Sequence, residues 1–150
     1  MCQRAIYPGT FDPITFGHLD LIKRARRIFS EVIVAVAIKP SKETLFNFKE
    51  RFSLVKKVTE GIEGVTVEGF RGLIVDYAQK RDIRVLIRGL RMISDFEYEF
   101  QMALMNRRLK EKIEVIFLMP SESYSYISSK LLKEIASLGG DLSQFVPQCV

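Results

Sequence analysis

A doubly wound α/β fold on a parallel five-stranded sheet is what this sequence predicts, and three observations carry the prediction. Short runs rich in Val and Ile recur along the chain, each about the length of a strand buried on both faces. Between them lie longer stretches whose apolar residues return every three or four positions, as in helices that cover a sheet. Glycines, hydroxyls, basic side chains and a lone histidine then crowd into the segments just after the runs, where sheets of this kind bind ligands.

The runs, in order, are RAIYPG at 4–9, EVIVAVAI at 31–38, VTVEGF at 65–70, RVLIRG at 84–89 and EVIFLMP at 114–120. After the first comes GHLDLIKRARRIF, in which Ile22, Ala25 and Phe29 recur at helical spacing. NFKERFSLVKKV places Asn47 and Glu50 in capping-box spacing and sets Phe52, Val55 and Val58 on one stripe. GLIVDYAQKR supplies a third helix, with Leu73 and Ile74 at its start, and SDFEYEFQMALMNRRLK a fourth. The fourth is expected to start at a Ser94 or Asp95 cap and to turn Phe96, Phe100 and Ala103 inward. A fifth, SSKLLKEIASLGG, stops at Gly139 and Gly140. Strands alternating with helices and right-handed crossovers make this one Rossmann-like domain spanning 1–150, with no repeat, linker or low-complexity segment.

Composition narrows the class. At 150 residues and 47% apolar content, the chain buries roughly two-thirds of its unfolded surface without a disulfide or metal staple. Cys2 and Cys149 lie at opposite ends and match no metal or redox spacing, usage that suits a reducing compartment. The start lacks a secretory pattern and no apolar run reaches membrane-spanning length, so a cytoplasmic protein without a membrane partner is expected. The net charge of +5 includes two clusters, Lys23 to Arg27 and Arg107 to Lys112. Both are interleaved with acidic or apolar residues, which favours solvated helix faces over a nucleic-acid patch. The charge fits small anionic ligands equally well.

The segment after the first strand reads YPGTFDPITFGH. Gly9 allows close backbone approach and Thr10 adds a hydroxyl, while Gly17 and His18 open the helix, whose N-terminus attracts anions. This is neither the G-x-G-x-x-G fingerprint nor the Walker A loop. Taken alone, His18 is as well explained by helix capping as by phosphate binding. At the other strand ends, Lys42 reads as a loop lysine, and Arg88 and Arg91 as phosphate forks or as ion-pair partners of Asp95 or Glu97. Ser128 and Ser129 read as caps of the last helix, Glu99 as a helix-face carboxylate, and Ile74 as core.

GTFDPITFGH resembles the T-x-G-H motif of the nucleotidyltransferase superfamily. In greater detail, YPGTFDPIT.GH, PSK, LIRGLR, DFEYE and PS..YSYISSKLLKE are similar, in order and spacing, to the bacterial phosphopantetheine adenylyltransferase family, across nearly the whole chain. The resemblance implies transfer of AMP from ATP to phosphopantetheine, giving dephospho-coenzyme A and pyrophosphate. It implies Mg2+ held mainly through ATP phosphates and water, with no residue nominated as its ligand. It also implies a homohexamer and coenzyme A as a feedback ligand. A sister transferase with another acceptor, such as a cytidylyltransferase, and a non-catalytic nucleotide- or nucleic-acid-binding module are the alternatives. The IRGLR…DFEYE segment speaks against the first, and the sparse basic clusters against the second.

By motif position the resemblance gives His18, Lys42 and Arg91 catalytic roles. ATP would be bound by Thr10, Phe11, His18, Gly89, Leu90, Arg91 and Glu99, and by the run Tyr124, Ser125, Tyr126, Ile127, Ser128, Ser129 and Lys130. The acceptor would meet Thr10, Lys42, Ile74 and Arg88, with Met102 and Asn106 bordering its channel. Lys130 departs from the family pattern, which has Ser or Thr there, and adds a cation beside the expected phosphates.

Overall fold

The computed structural model describes residues 3–40 and 42–150, without the side chains of Ile93 and Ser94; Cys2 and Ser41 lie outside the described residues. Strands β1 (Arg4–Gly9), β2 (Glu31–Ala37), β3 (Val65–Phe70), β4 (Val85–Gly89) and β5 (Glu114–Leu118) alternate with helices α1 (Phe16–Ile28), α2 (Phe48–Thr59), α3 (Ile74–Lys80), α4 (Ile93–Leu109) and α5 (Ser129–Ser137). All pairs are parallel and the order is β3-β2-β1-β4-β5, the doubly wound arrangement expected. The strand order reverses between β1 and β4, so the segments that follow them lead to helices on opposite faces and leave a crevice at the C-terminal edge.

Alternation along the strands sorts the core. Ala5, Val32, Val34, Val36 and Ile87 pack against Leu21, Ile22 and Ala25 of α1 and Val55 of α2. Ile6, Ile33, Ala35 and Leu86 face the other way, onto Val75 and Ala78 of α3. Arg88, two residues beyond Leu86, points to that second face, where α4 lies. Helix α2 carries the predicted Asn47–Glu50 capping box. Helix α5 ends in a Schellman turn, with Gly139 N–H on Ala136 O and Gly140 N–H on Ile135 O.

Helix α4 departs from the expectation. Its cap is Met92, which makes no side-chain cap hydrogen bond, and Asp95 sits in the first turn accepting from the Arg91 N–H at 3.3 Å. The side chain of Ser94 lies outside the described residues. Phe96 and Phe100 are 49% and 48% exposed and stack on each other, while the inward stripe is Asp95, Glu99, Ala103 and Asn106. The helix is apolar around much of its circumference, so apolar spacing could not single out its buried face.

Half of the basic residues in the two clusters are engaged within the fold. Arg24 bonds Asp20 at 2.9 Å and Ser121 Oγ at 2.7 Å, and Arg26 donates to the carbonyls of Glu63 and Phe29. Arg107 pairs with Glu114 and Lys110 with Asp76. No helix is long and apolar enough to cross a membrane among the described residues.

Candidate active site

The corner after β1 explains the lone imidazole. Thr15 is the N-cap of α1 and His18 stands at the third helical position, where a capping box ordinarily carries Glu or Gln. The Thr15 N–H donates to His18 Nδ1 at 3.0 Å, and the His18 N–H returns to Thr15 Oγ1 at 3.3 Å. Nδ1 is thereby an acceptor, which leaves the ring proton on Nε2 as a donor. Burial, followed by the like charges of Arg91, Arg88 and Lys42, pushes the His18 pKa down to about 3. The imidazole is therefore neutral near pH 7. Capping and ligand binding are compatible because each uses a different nitrogen.

Backbone strain sits at the same corner. Phe11 holds φ at +52°, a left-handed conformation that a bulky residue keeps only when its surroundings enforce it. Its ring packs 5.0 Å from His18 and 5.5 Å from Tyr7. A Cβ on Gly9 would come within 3.0 Å of that ring, so glycine there is what lets Phe11 fold back beneath the imidazole.

Guanidinium groups close the opposite side. Arg88 forks onto Glu99, Nε to Oε2 at 2.9 Å and Nη2 to Oε1 at 2.6 Å, and donates to Pro8 O at 3.1 Å. Burial works against its charge, but Glu99 outweighs burial and raises the Arg88 pKa. Arg91 donates to Ile127 O at 2.7 Å and pairs with Asp95 at 3.3 Å. A Cβ on Gly89 would meet Leu21 Cδ1 at 2.5 Å, so this glycine leaves room for the buried Leu21 side chain over β4. Ser128 caps α5 through the Leu131 N–H, and Ser129 Oγ donates to Pro13 O at 3.1 Å, tying that helix start to the first corner.

These groups surround a cavity of about 710 Å³, within the range of small-ligand sites. Among the described residues its wall holds six basic side chains (Lys39, Lys42, Arg88, Arg91, Lys130 and Lys133) and three carboxylates (Asp12, Asp95 and Glu99). Each carboxylate already has a cationic partner. The surplus positive charge and the neutral His18 donor suit a polyanion.

Comparison with known proteins agrees with this chemistry. The cytidylyltransferase-like family matches residues 6–135. A phosphopantetheine adenylyltransferase of Caldanaerobacter subterraneus subsp. tengcongensis is 56% identical over 146 residues, 97% of this chain and 91% of that protein. The chain belongs to the phosphopantetheine adenylyltransferase branch of the cytidylyltransferase-like family. A crystal structure from Vibrio parahaemolyticus, provisionally assigned as a nicotinate-nucleotide adenylyltransferase, superposes with a TM-score of 0.70 at 17% identity. It covers 99% of this chain and 89% of that one, which establishes the shared fold.

Within this adenylyltransferase scaffold, the cavity wall brings together Thr10, Phe11, His18, Lys42, Arg88, Gly89, Arg91, Glu99, Tyr124 and Ile127 to Lys130 from the sequence-based set. Leu90, Ser125, Tyr126, Ile74, Met102 and Asn106 lie outside the wall. Arg88 does form an ion pair, but with Glu99 rather than Asp95 or Glu97. Sequence reasoning left Tyr7, Asp12, Thr15, Lys39 and Lys133 unassigned, all of which line the cavity. The signal for Thr15 was available: T-x-x-H is a capping box with imidazole in the acceptor position. Tyr7 looked like an ordinary strand residue; burial raises its pKa above the usual range, against Arg88 and Arg91, so it stays protonated.

Proposed function

We infer that this protein transfers AMP from ATP to phosphopantetheine, forming dephospho-coenzyme A and releasing pyrophosphate in coenzyme A biosynthesis. The observation that carries the reading is the 56% identity to a phosphopantetheine adenylyltransferase along 97% of the chain. The acceptor phosphate attacks the α-phosphorus of ATP as the bond to the pyrophosphate oxygen breaks. A phosphate monoester is largely dianionic near pH 7, its second pKa being about 6, so neither a general base nor a covalent intermediate is needed. The protein's task is to align two anions and stabilise the charge that builds between them.

In this reading the Nε2–H of His18 donates to the ATP phosphates, its direction fixed by the Thr15 bond to Nδ1. Thr10 bridges acceptor and nucleotide, and Phe11 offers its backbone N–H. Lys42 holds the attacking phosphate as a mobile point charge. Arg91, Gly89 and Leu90 serve ATP, with Glu99 and the run from Tyr124 to Lys130. Arg88, already held rigid by Glu99, faces the acceptor. The pantetheine arm would leave past Gly72, a wall residue two positions from Ile74, towards Met102 and Asn106 on α4. With all three wall carboxylates engaged, Mg2+ would arrive on the triphosphate and through water, neutralising charge there.

A homohexamer gives the outward apolar face of α4 a partner, and coenzyme A, sharing the pantetheine arm, would act as a feedback ligand at the same cavity. The cysteine usage of the sequence supports a cytoplasmic setting. Mixing the protein with ATP, Mg2+ and phosphopantetheine should yield dephospho-coenzyme A by mass spectrometry. Product from CTP instead, or only with another acceptor in a substrate panel, overturns the assignment.

A further inference from the structure

We propose that Asp12 and Arg51 are positioning residues: together they lock the segment carrying Lys42 to the corner carrying Thr10 and His18. The proposal rests on the function inferred above. Arg51 on α2 is 1% exposed, and its guanidinium donates to three carbonyls, Thr10 and Ala37 from Nη1 at 2.8 Å each and Phe46 from Nε at 3.1 Å. Asp12 is 2% exposed and accepts from the N–H groups of Leu45 at 2.8 Å and Phe46 at 2.9 Å, and from Lys133 Nζ at 3.0 Å. Lys42 thus lies on a connection fastened at both ends, at Ala37 where β2 stops and at Leu45–Phe46 just before α2. The described residues of that connection contain neither helix nor strand.

Packing alone does not account for this pair. Arg51 shares its helix stripe with Phe48 and Val55, where an apolar side chain would fill the core without desolvating a charge. What an apolar residue cannot supply is a planar fork that reaches three carbonyls from three separate segments. Asp12, in turn, is the one wall carboxylate whose bonds join the Lys42 connection to α5, whose first turn carries Ser129 and Lys130. The pair therefore couples the acceptor side of the cavity to its nucleotide side, although the bonds just described leave neither charge free for a substrate. Misplacing a reacting group by about 1 Å is enough to cost on the order of a hundred-fold in rate.

The test is a double-mutant cycle between Asp12→Asn and Lys42→Ala, read as kcat/KM for phosphopantetheine at saturating ATP, with ATP affinity measured by calorimetry. Asp12→Asn should lower kcat/KM about a hundred-fold while the Kd for ATP moves by less than about five-fold. Added to Lys42→Ala, it should cost only a further few-fold, because the group it positions is already gone. Trypsin provides a readout independent of turnover: cleavage after Lys42 should accelerate at least about ten-fold in Asp12→Asn at a temperature where the fold is intact. Arg51→Lys, which keeps the charge but not the fork, should act in the same direction and serves if Asp12→Asn does not fold. Additive losses in the cycle, or unchanged cleavage after Lys42, overturn the proposal. A wild-type protein that makes no dephospho-coenzyme A instead overturns the functional reading, and the cleavage comparison still decides the lock.

Discussion

Helices α1 and α4 each follow a strand whose C-terminal end borders the cavity, and each sends a polar side chain into the wall, but they bury opposite surfaces. In α1 the apolar stripe of Leu21, Ile22 and Ala25 faces the sheet, and a reciprocal cap fixes the N-terminus. In α4 the inward stripe is Asp95, Glu99, Ala103 and Asn106, the cap lacks a side-chain bond, and Phe96, Phe100, Leu104 and Met105 face outward. The position of α1 is determined by the protomer's own core. The outward face of α4 leaves Phe96, Phe100, Leu104 and Met105 about half exposed, which is where the proposed assembly would act. His18 is accordingly held by a buried scaffold, whereas Glu99 is held by its fork with Arg88.

Removing His18 breaks the α1 half of the comparison most severely. His18→Ala should lower kcat by roughly a hundred- to a thousand-fold, the usual loss for one preorganised donor to developing charge. Circular dichroism should remain unchanged, and an unchanged rate of pyrophosphate release would remove the imidazole from the reaction. Core substitutions test the packing contrast directly. Ile22→Ala, in α1 and fully buried, should cost about 2–5 kcal/mol in urea titrations. Leu104→Ala, 48% exposed on α4, should cost the isolated protomer within about 0.5 kcal/mol. Equal losses would mean that α4 is as deeply anchored as α1.

The same contrast explains what the sequence could tell. Strand positions were legible because β1, β2 and β4 are buried on both faces, which favours continuous apolar runs, and because the half-buried edge strands β3 and β5 still carry short Val- or Ile-containing runs. Helix α1 was legible because its apolar period matched its buried side. The register of α4 was not legible: Phe96 and Phe100 follow helical spacing as faithfully as a core stripe does, and spacing reports which residues share a face, not which face meets the sheet. His18, Arg88 and Arg91 were legible as strand-end residues. Arg51 and Asp12 were not, because most of their partners are backbone groups, at Thr10, Ala37, Leu45 and Phe46, and the one side chain among them, Lys133, lies 121 residues from Asp12. Such bonds carry no side-chain pattern.

Polar substitution on α4 should separate assembly from folding. Phe96→Ser combined with Phe100→Ser removes the stacked pair from the outward face. Sedimentation velocity should then show a shift to smaller species with far-ultraviolet circular dichroism retained. A change in neither mass nor stability would leave that face without a packing role.

A last effect concerns acid stability, and it probes how tightly the α1 corner holds its imidazole. His18 has a pKa of about 3 in the folded chain, against about 6.5 for an unperturbed side chain. Between those values the unfolded chain binds a proton that the folded chain refuses, so unfolding free energy rises with pH through this window and levels off above it. One such proton gives a slope of at most about 1.4 kcal/mol per pH unit. Asp12 and Asp20 contribute the same sign at lower pH: burial opposes their charge, but backbone N–H groups, Lys133 and Arg24 hold their carboxyls below the ordinary range. Their stabilisation is lost as pH falls below about 4, which leaves pH 5 to 6.5 to His18. His18→Gln isolates the effect, because glutamine can still accept from the Thr15 N–H and complete the capping box but does not titrate. Chemical denaturation at pH 5 and pH 6.5 should show wild type losing stability at the lower pH and His18→Gln losing distinctly less. Parallel losses in the two proteins would mean that the folded corner accommodates the imidazolium, contrary to a ring whose Nδ1 faces the Thr15 N–H.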